Sequence, residues 1–312
     1  MSVVVTYPAL KRVALAGGTH GNEMAGVVLA KYWMKNPAEL QRKTFIGNTF
    51  ISNPRATEKC VRYIDFDLNR CFTSKMLNTS ATEDPSYELS RAKELNKIYG
   101  PKGSSDAFDL LIDMHNTTSN IGNCFIPMAT QDHLTMQMLN YVQQQSLFSP
   151  CRAFIADLPL EDAFSLDCVG LHGLSFELGP QPQGVIRGEI LQRMRGLVNC
   201  AYDFIDLFNQ GQHFSECQVE GFQVTEKVDF PRNADGEIEA VIHPDLQDKD
   251  FLPLHPGDPI FLTLDGETIT YNGDSVVYPV FINEAAYYEK KLAFWKTKKI
   301  TVTVPPIQVQ KN

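Results

Sequence analysis

His20 and Glu23 stand three residues apart in a glycine-rich loop, Gly17-Gly18-Thr19-His20-Gly21-Asn22-Glu23, and His115 stands at the end of a later apolar run. Two imidazole nitrogens and a carboxylate make a zinc set. Catalytic zinc commonly keeps three protein ligands of this kind and leaves a fourth position for water, whose pKa falls towards about 7. A spacing of three puts both side chains on one side of a turn, and the flanking glycines let the backbone bend tightly enough to aim them at one point. His-x-x-Glu alone arises often by chance, and a lone loop histidine is more often solvated or hydrogen-bonded than a ligand. What raises the weight of the set is that His115 and Glu177 both fall at strand ends.

Asp113 lies two residues before His115, so on a strand the two side chains share a face. It is suited to accept the second ring N–H of a metal-bound histidine, either His20 or His115. Glu177, in Ser175-Phe176-Glu177-Leu178-Gly179-Pro180, interrupts an apolar run. Burial there would raise its pKa towards what a general base or acid needs near neutrality, the alternatives being a structural ion pair or a glutamate facing solvent. Arg62-Tyr63-Ile64-Asp65-Phe66-Asp67-Leu68-Asn69-Arg70 concentrates two arginines and an asparagine. Arginine forks suit carboxylates, although Asp65 and Asp67 could equally neutralise them in a solvated loop.

These residues need a scaffold that brings strand ends together. Val13 to Ala16 reads as a buried strand ending at Gly17-Gly18, and Ala25, Val28, Leu29 and Trp33 then recur at helical spacing to about Lys35. Phe108 to Met114 and Leu174 to Leu178 are further strand-like runs ending beside ionisable residues. In open α/β sheets, ligands gather outside the carboxyl ends of strands. Ile190, Met194, Leu197, Val198, Ala201, Phe204, Ile205 and Phe208 follow the 3.6-residue period and predict a helix over 188–209. Beyond about residue 212 the short alternating runs Val219 to Val228, Glu237 to Ile242, Ile260 to Leu264 and Val276 to Ile282 predict a mostly β segment. The expected division is an α/β part over 1–211 and a smaller β-rich part over 212–312.

The 312 residues, 43% of them hydrophobic, allow a core that needs no disulfide or structural metal, so a metal here is expected to serve function. A net charge of -9 without a basic patch disfavours nucleic-acid binding. No stretch approaches the roughly 20 apolar residues that span a bilayer, and the start lacks the pattern of a secretory signal. Seven scattered cysteines without a C-x-x-C pair read as reduced thiols of a cytoplasmic protein.

GGTHGNE (17–23), YIDFDLNR (63–70), DMHNTT (113–118), ELGPQPQG (177–184) and VYPVFINEAAYYEKK (277–291), in this order, resemble the aspartoacylase family, a branch of the carboxypeptidase-A-like zinc hydrolases. The resemblance implies a zinc-carboxypeptidase-like mixed central sheet flanked by helices, followed by a β-rich domain that contributes to the cleft. It places one zinc ion per subunit on His20, Glu23 and His115, the residues that spacing selects; Asp113 and Asp67 are the carboxylates expected to support them. Glu177 corresponds to the catalytic glutamate, which takes a proton from the attacking water and delivers it to the leaving amine. Arg62 matches the residue that polarises the carbonyl, Asn69 and Arg70 match a grip on the α-carboxylate, and Tyr287 matches a substrate-contacting tyrosine. A homodimer or homotetramer is implied too, with peripheral association at the apical plasma membrane attributed to some members although no anchor motif is present.

One departure bears on substrate. Counting back from Glu177, the tyrosine and arginine with which aspartoacylases hold a side-chain carboxylate are replaced by Ala163 and Asp167. A like charge in place of a paired one can weaken binding by on the order of 10³-fold. With Phe164 and Leu166 nearby, the pocket is expected to take a neutral side chain, unless the loop is rearranged and another cation such as Arg152 fills the role. The leading expectation is deacylation of N-acyl aromatic amino acids and mercapturic acids. The alternative is an aspartoacylase acting on N-acetylaspartate. A protein that kept the fold and metal only to bind a partner would be expected to have lost some of this set.

Overall fold

The computed structural model of the chain describes residues 3–80 and 86–310. Alternation along the Arg12–Gly17 strand explains its layering. Val13 and Leu15 pack with Ala25, Leu29 and Trp33 of the Met24–Lys35 helix, whereas Ala14 and Ala16 turn towards Leu89, Ala92 and Leu95 of the Tyr87–Tyr99 helix. A strand apolar on both faces needs cover on both sides, and helices provide it. The Gly188–Asn209 helix buries all eight of the residues that its periodicity selects, on the Val13 side of the sheet.

Among the described residues, nine strands form the central sheet, in the order Tyr278–Val280, Phe294–Val304, Cys217–Val228, Cys151–Ile155, Asn123–Pro127, His172–Leu178, Leu110–Asn116, Arg12–Gly17, Ile46–Ile51. The last four run parallel, and His172–Leu178 meets Asn123–Pro127 antiparallel, so the sheet is mixed as expected. The apolar run beginning at Phe108 becomes a strand two residues later and extends through His115 and Asn116, because these pair with Glu177 and Leu178. The sheet also continues past residue 211: Cys217–Val228 lies parallel to Cys151–Ile155 and antiparallel to Phe294–Val304. A smaller antiparallel sheet of Ala240–Ile242, Pro259–Thr263 and Thr268–Thr270 lies beside a separate cluster built on Phe230, Leu254, Phe261 and Phe294.

Gly17, Asn116 and Leu178 end three adjacent parallel strands, so the loops that follow converge at one edge. Among the described residues no helix is long and apolar enough to cross a membrane.

Candidate active site

The loop after Gly17 turns at Gly18, whose φ of +71° favours glycine, and runs so close to the Pro54–Lys59 helix that a side chain on Gly21 would collide with the Ala56 carbonyl. That path delivers His20 and Glu23 beside His115. The ligand atoms of the three buried residues lie within 4.8 Å of one another. Glu23 Oε1 is 2.6 Å from His20 Nδ1, Glu23 Oε2 is 3.0 Å from His115 Nδ1, and the two Nδ1 atoms are 3.2 Å apart.

The outer nitrogens settle which carboxylate serves which ring. His115 Nε2 is 2.8 Å from Asp113 Oδ2, and His20 Nε2 is 3.0 Å from Asp67 Oδ1. An ionised carboxylate only accepts, so each Nε2 carries the hydrogen and both Nδ1 lone pairs turn inwards with the Glu23 carboxylate. Three lone-pair donors facing one point fit a divalent cation. Burial opposes charge on Glu23 and His115, but His20 and His115 hold Glu23 well below the usual carboxylate range, and Asp113 and Glu23 hold His115 well above its usual value. A cage that draws a proton onto His115 this strongly has the charge to hold a cation in its place. Asp67, similarly held far down against its burial by His20, Arg62 and Arg70, also accepts from Arg62 Nη2 at 3.3 Å and Lys290 Nζ at 2.6 Å.

Above the cluster opens a cavity of about 470 Å³ lined by His20, Arg62, Asn69, Arg70, Glu177 and Tyr287, with Ala163 and Asp167 further along its wall. All eight were singled out from sequence. Glu177 pairs across the ladder with His115, and burial pushes its pKa up to about 8, with Glu23 and Glu284 adding to the rise against the pull of His115 and Arg62. Arg62 Nη1 reaches Glu23 Oε1 at 3.2 Å. The Arg70 guanidinium stacks 4.3 Å from the centre of the Phe164 ring. Asn69 uses its side-chain oxygen to accept from the Leu166 amide at 2.9 Å, which joins the Arg62–Arg70 segment to the loop carrying Ala163 and Asp167.

Ala163 is nearly buried, and Asp167 is 2% exposed. Burial raises the Asp167 carboxyl to about 6. Arg152 does not take the vacated position: it lies over the Phe251 ring at 5.2 Å, outside the cavity lining.

Three further residues escaped sequence reasoning. Buried Glu284 receives Thr118 N at 2.7 Å and Ser119 N at 3.1 Å, as well as Thr117 Oγ1, on one oxygen, tying the segment that carries Tyr287 to the end of the His115 strand. Lys290 joins Asp67 from the same segment. Lys102 donates to the carbonyls of Phe72 at 2.8 Å and Ala163 at 2.6 Å. Glu284 and Lys290 lie within 277–291, but nothing local marks them apart from other charged residues.

The chain matches the succinylglutamate desuccinylase/aspartoacylase catalytic domain over residues 9–205 and the AstE/AspA barrel-sandwich hybrid domain over residues 217–299. It is 52% identical to an N-acyl-aromatic-L-amino acid amidohydrolase (carboxylate-forming) of Xenopus tropicalis over 99% of this chain and 100% of that one. It is 46% identical to an aspartoacylase of Rattus norvegicus over 99% of both. Its fold superposes on the crystal structure of murine aminoacylase 3 with a TM-score of 0.94 and 49% identity, covering 97% of this chain and 100% of that one.

Proposed function

The chain belongs to the succinylglutamate desuccinylase/aspartoacylase family, and from that premise we propose that it is a zinc-dependent amidohydrolase that deacylates N-acyl aromatic L-amino acids and mercapturic acids to the free amino acid and a carboxylate. The observation that carries this reading is a cavity whose wall holds Glu177 beside the His20, Glu23 and His115 cluster, and also Asp167, which by the family resemblance replaces the arginine that aspartoacylases use for a side-chain carboxylate. An aspartoacylase is not favoured, because Asp167 would face the second carboxylate of N-acetylaspartate with like charge.

His20, Glu23 and His115 would hold the zinc, oriented by Asp67 and Asp113. When bound, zinc supplies Lewis acidity at the scissile carbonyl and makes water a competent nucleophile near neutral pH. Glu177 takes the proton from the attacking water and returns it to the amine nitrogen as the amide bond breaks. Arg62 donates to the carbonyl oxygen as it gains negative charge. Asn69, whose oxygen is already engaged by Leu166, offers its NH₂ group to the α-carboxylate together with Arg70. Tyr287, which lines the same cavity near Glu177 and Arg70, contacts the substrate from the 212–312 part, and we retain the division at residue 211 as a functional one.

The family reading further carries a cytoplasmic homodimer or homotetramer, with peripheral contact at the apical plasma membrane. Light scattering tests the assembly. For the reaction, the purified zinc-loaded protein is expected to hydrolyse N-acetyltyrosine far faster than N-acetylaspartate, and to lose turnover on Glu177→Ala or on chelation; the opposite substrate order would overturn the substrate assignment.

A further inference from the structure

Asp167 is a buried carboxyl in the cavity wall, and its Oδ1 has no hydrogen-bond partner. A buried acceptor left unpaired costs about 1–3 kcal/mol, so an unpaired one in a ligand cavity needs a reason. Its own loop is not free to relieve it. Leu166 N is held by Asn69 Oδ1 at 2.9 Å, the Ala163 carbonyl by Lys102 at 2.6 Å, the Phe164 carbonyl by Phe72 N at 3.3 Å and the Asp167 carbonyl by Gly170 N at 3.3 Å. The loop is therefore clamped on both sides of Asp167 while the carboxyl oxygen is left over.

The place of Asp167 in the cavity wall is set by the neighbouring strand. The Asp167 backbone packs against Gly173, four residues back along the His172–Leu178 strand from Glu177, with Ser175 between them also lining the cavity. At about 3.3 Å per residue, Ser175 and Gly173 lie roughly 7 and 13 Å from Glu177. The Asp167 carboxyl extends back from Gly173 far enough to interact electrostatically with Asp113 and His115, so a substrate side chain that runs along this wall from a scissile amide at Glu177 would bring its outermost atom nearest Asp167. The phenol hydroxyl of tyrosine is that outermost atom.

Resting on the function proposed above, we propose that Asp167 accepts a hydrogen bond from a donor at the far end of the substrate's aromatic side chain, so that the enzyme selects N-acylated tyrosine over N-acylated phenylalanine. The residue that repels an acidic side chain then attracts a hydroxylated one. Bulky thioether side chains without a donor enter the same apolar lobe but leave Asp167 Oδ1 unpaired.

The test compares kcat/KM of the zinc-loaded enzyme for N-acetyl-L-tyrosine, N-acetyl-L-phenylalanine and N-acetyl-O-methyl-L-tyrosine, with the wild type and with Asp167→Leu. The wild type is expected to prefer tyrosine over both others by at least about tenfold, in line with a hydrogen bond to a charged group. In Asp167→Leu the ratio falls to within about twofold, and the melting temperature does not drop, because a buried unpaired acceptor has been removed. Equal turnover of the three substrates by the wild type, or a tyrosine preference that survives Asp167→Leu, would overturn the inference alone. Failure to hydrolyse any of the three would overturn the proposed function and this inference with it. Should Asp167→Leu fail to fold, the wild-type comparison of tyrosine with its O-methyl ether decides by itself.

Discussion

Glu284 Oε2 and the Thr118 amide nitrogen lie 2.7 Å apart although 166 residues separate them in the chain. The contact joins two segments that must agree for a site to exist: the residues just after His115 and the residues just before Tyr287. Thr117, Thr118 and Ser119 all turn donors towards the one carboxylate oxygen, while Glu284 Oε1 accepts from Ala286 N at 3.2 Å and starts the turn that carries Tyr287 and Lys290.

Glu284→Ala is accordingly expected to cost both stability and activity. Several buried donors lose their acceptor at once, at about 1–3 kcal/mol each, so a loss of about 3 kcal/mol or more should be read in urea unfolding. Displacement of Tyr287 should lower kcat/KM by about 10²-fold, since small misplacements of contacting groups have effects of that size. Glu284→Gln, which keeps a carbonyl oxygen at the same place, should recover part of both. Full activity in Glu284→Ala would show that the Tyr287 segment is positioned by other means.

Asp113→Asn tests the pairing of carboxylates with histidines. Asp113 is buried, accepts from Thr19 Oγ1 at 2.9 Å and orients His115. An amide in its place holds the ring less firmly and can turn its own NH₂ towards Nε2, which would reverse the tautomer. Zinc affinity, measured by competition with a chromogenic chelator, should fall by about 10- to 100-fold. Asp67→Asn should weaken zinc through His20 and also free Arg62 and Lys290, so its effect on KM should exceed that of Asp113→Asn. Unchanged zinc affinity in both variants would remove the orienting role.

The parts of this site that local patterns encode were readable before the structure was known. The glycine-rich turn aims His20 and Glu23, and period-two alternation puts Asp113 and His115 on one face. The apolar run around Glu177 left burial, a structural ion pair and solvent exposure open, and the structure makes the residue a half-buried one that lines the cavity. What could not be read depends on ring orientation or on distant contact. Asp113 lies on the same strand face as His115 but could have reached either histidine, and only the direction of each Nε2 decides it. Lys290 meets Asp67 across 223 residues, and Lys102 meets Ala163 across 61, with no periodicity to mark either. The β character of the last third was plain from turn residues, but the joining of Cys217–Val228 to the central sheet depends on strand order, which alternation does not specify.

Lys102 offers a test of loop positioning away from the reacting groups. Its ammonium bridges the carbonyls of Phe72 and Ala163 and so ties the wall of the side-chain lobe to the segment following Arg70. Lys102→Met keeps the stem and removes the donors. KM for N-acetylated aromatic substrates is expected to rise several-fold with a smaller change in kcat, because the affected wall contacts the side chain rather than the amide. Lys102→Arg should restore most of the loss. A fall in kcat at constant KM would contradict a role confined to the lobe.

Asp250 provides a pH test that is independent of the metal cluster. It is buried, its Oδ1 accepts from Ile282 N at 3.0 Å, its Oδ2 has no partner, and burial raises its pKa to about 7 despite that backbone donor. In the unfolded chain the group titrates near its ordinary value of about 4. The folded state therefore binds the proton more tightly, so the stabilising effect of protonation is fully present below about pH 4 and is lost as pH rises through about 7. Asp250→Asn mimics the protonated form and keeps an oxygen for Ile282 N. Its unfolding free energy should match that of the wild type near pH 4 and exceed it by about 2–4 kcal/mol at pH 8, allowing about 1.4 kcal/mol per pKa unit. Denaturant titrations of both proteins across that range would measure the difference, and a gap that stays constant with pH would mean that the Asp250 carboxyl keeps the same affinity for its proton folded and unfolded.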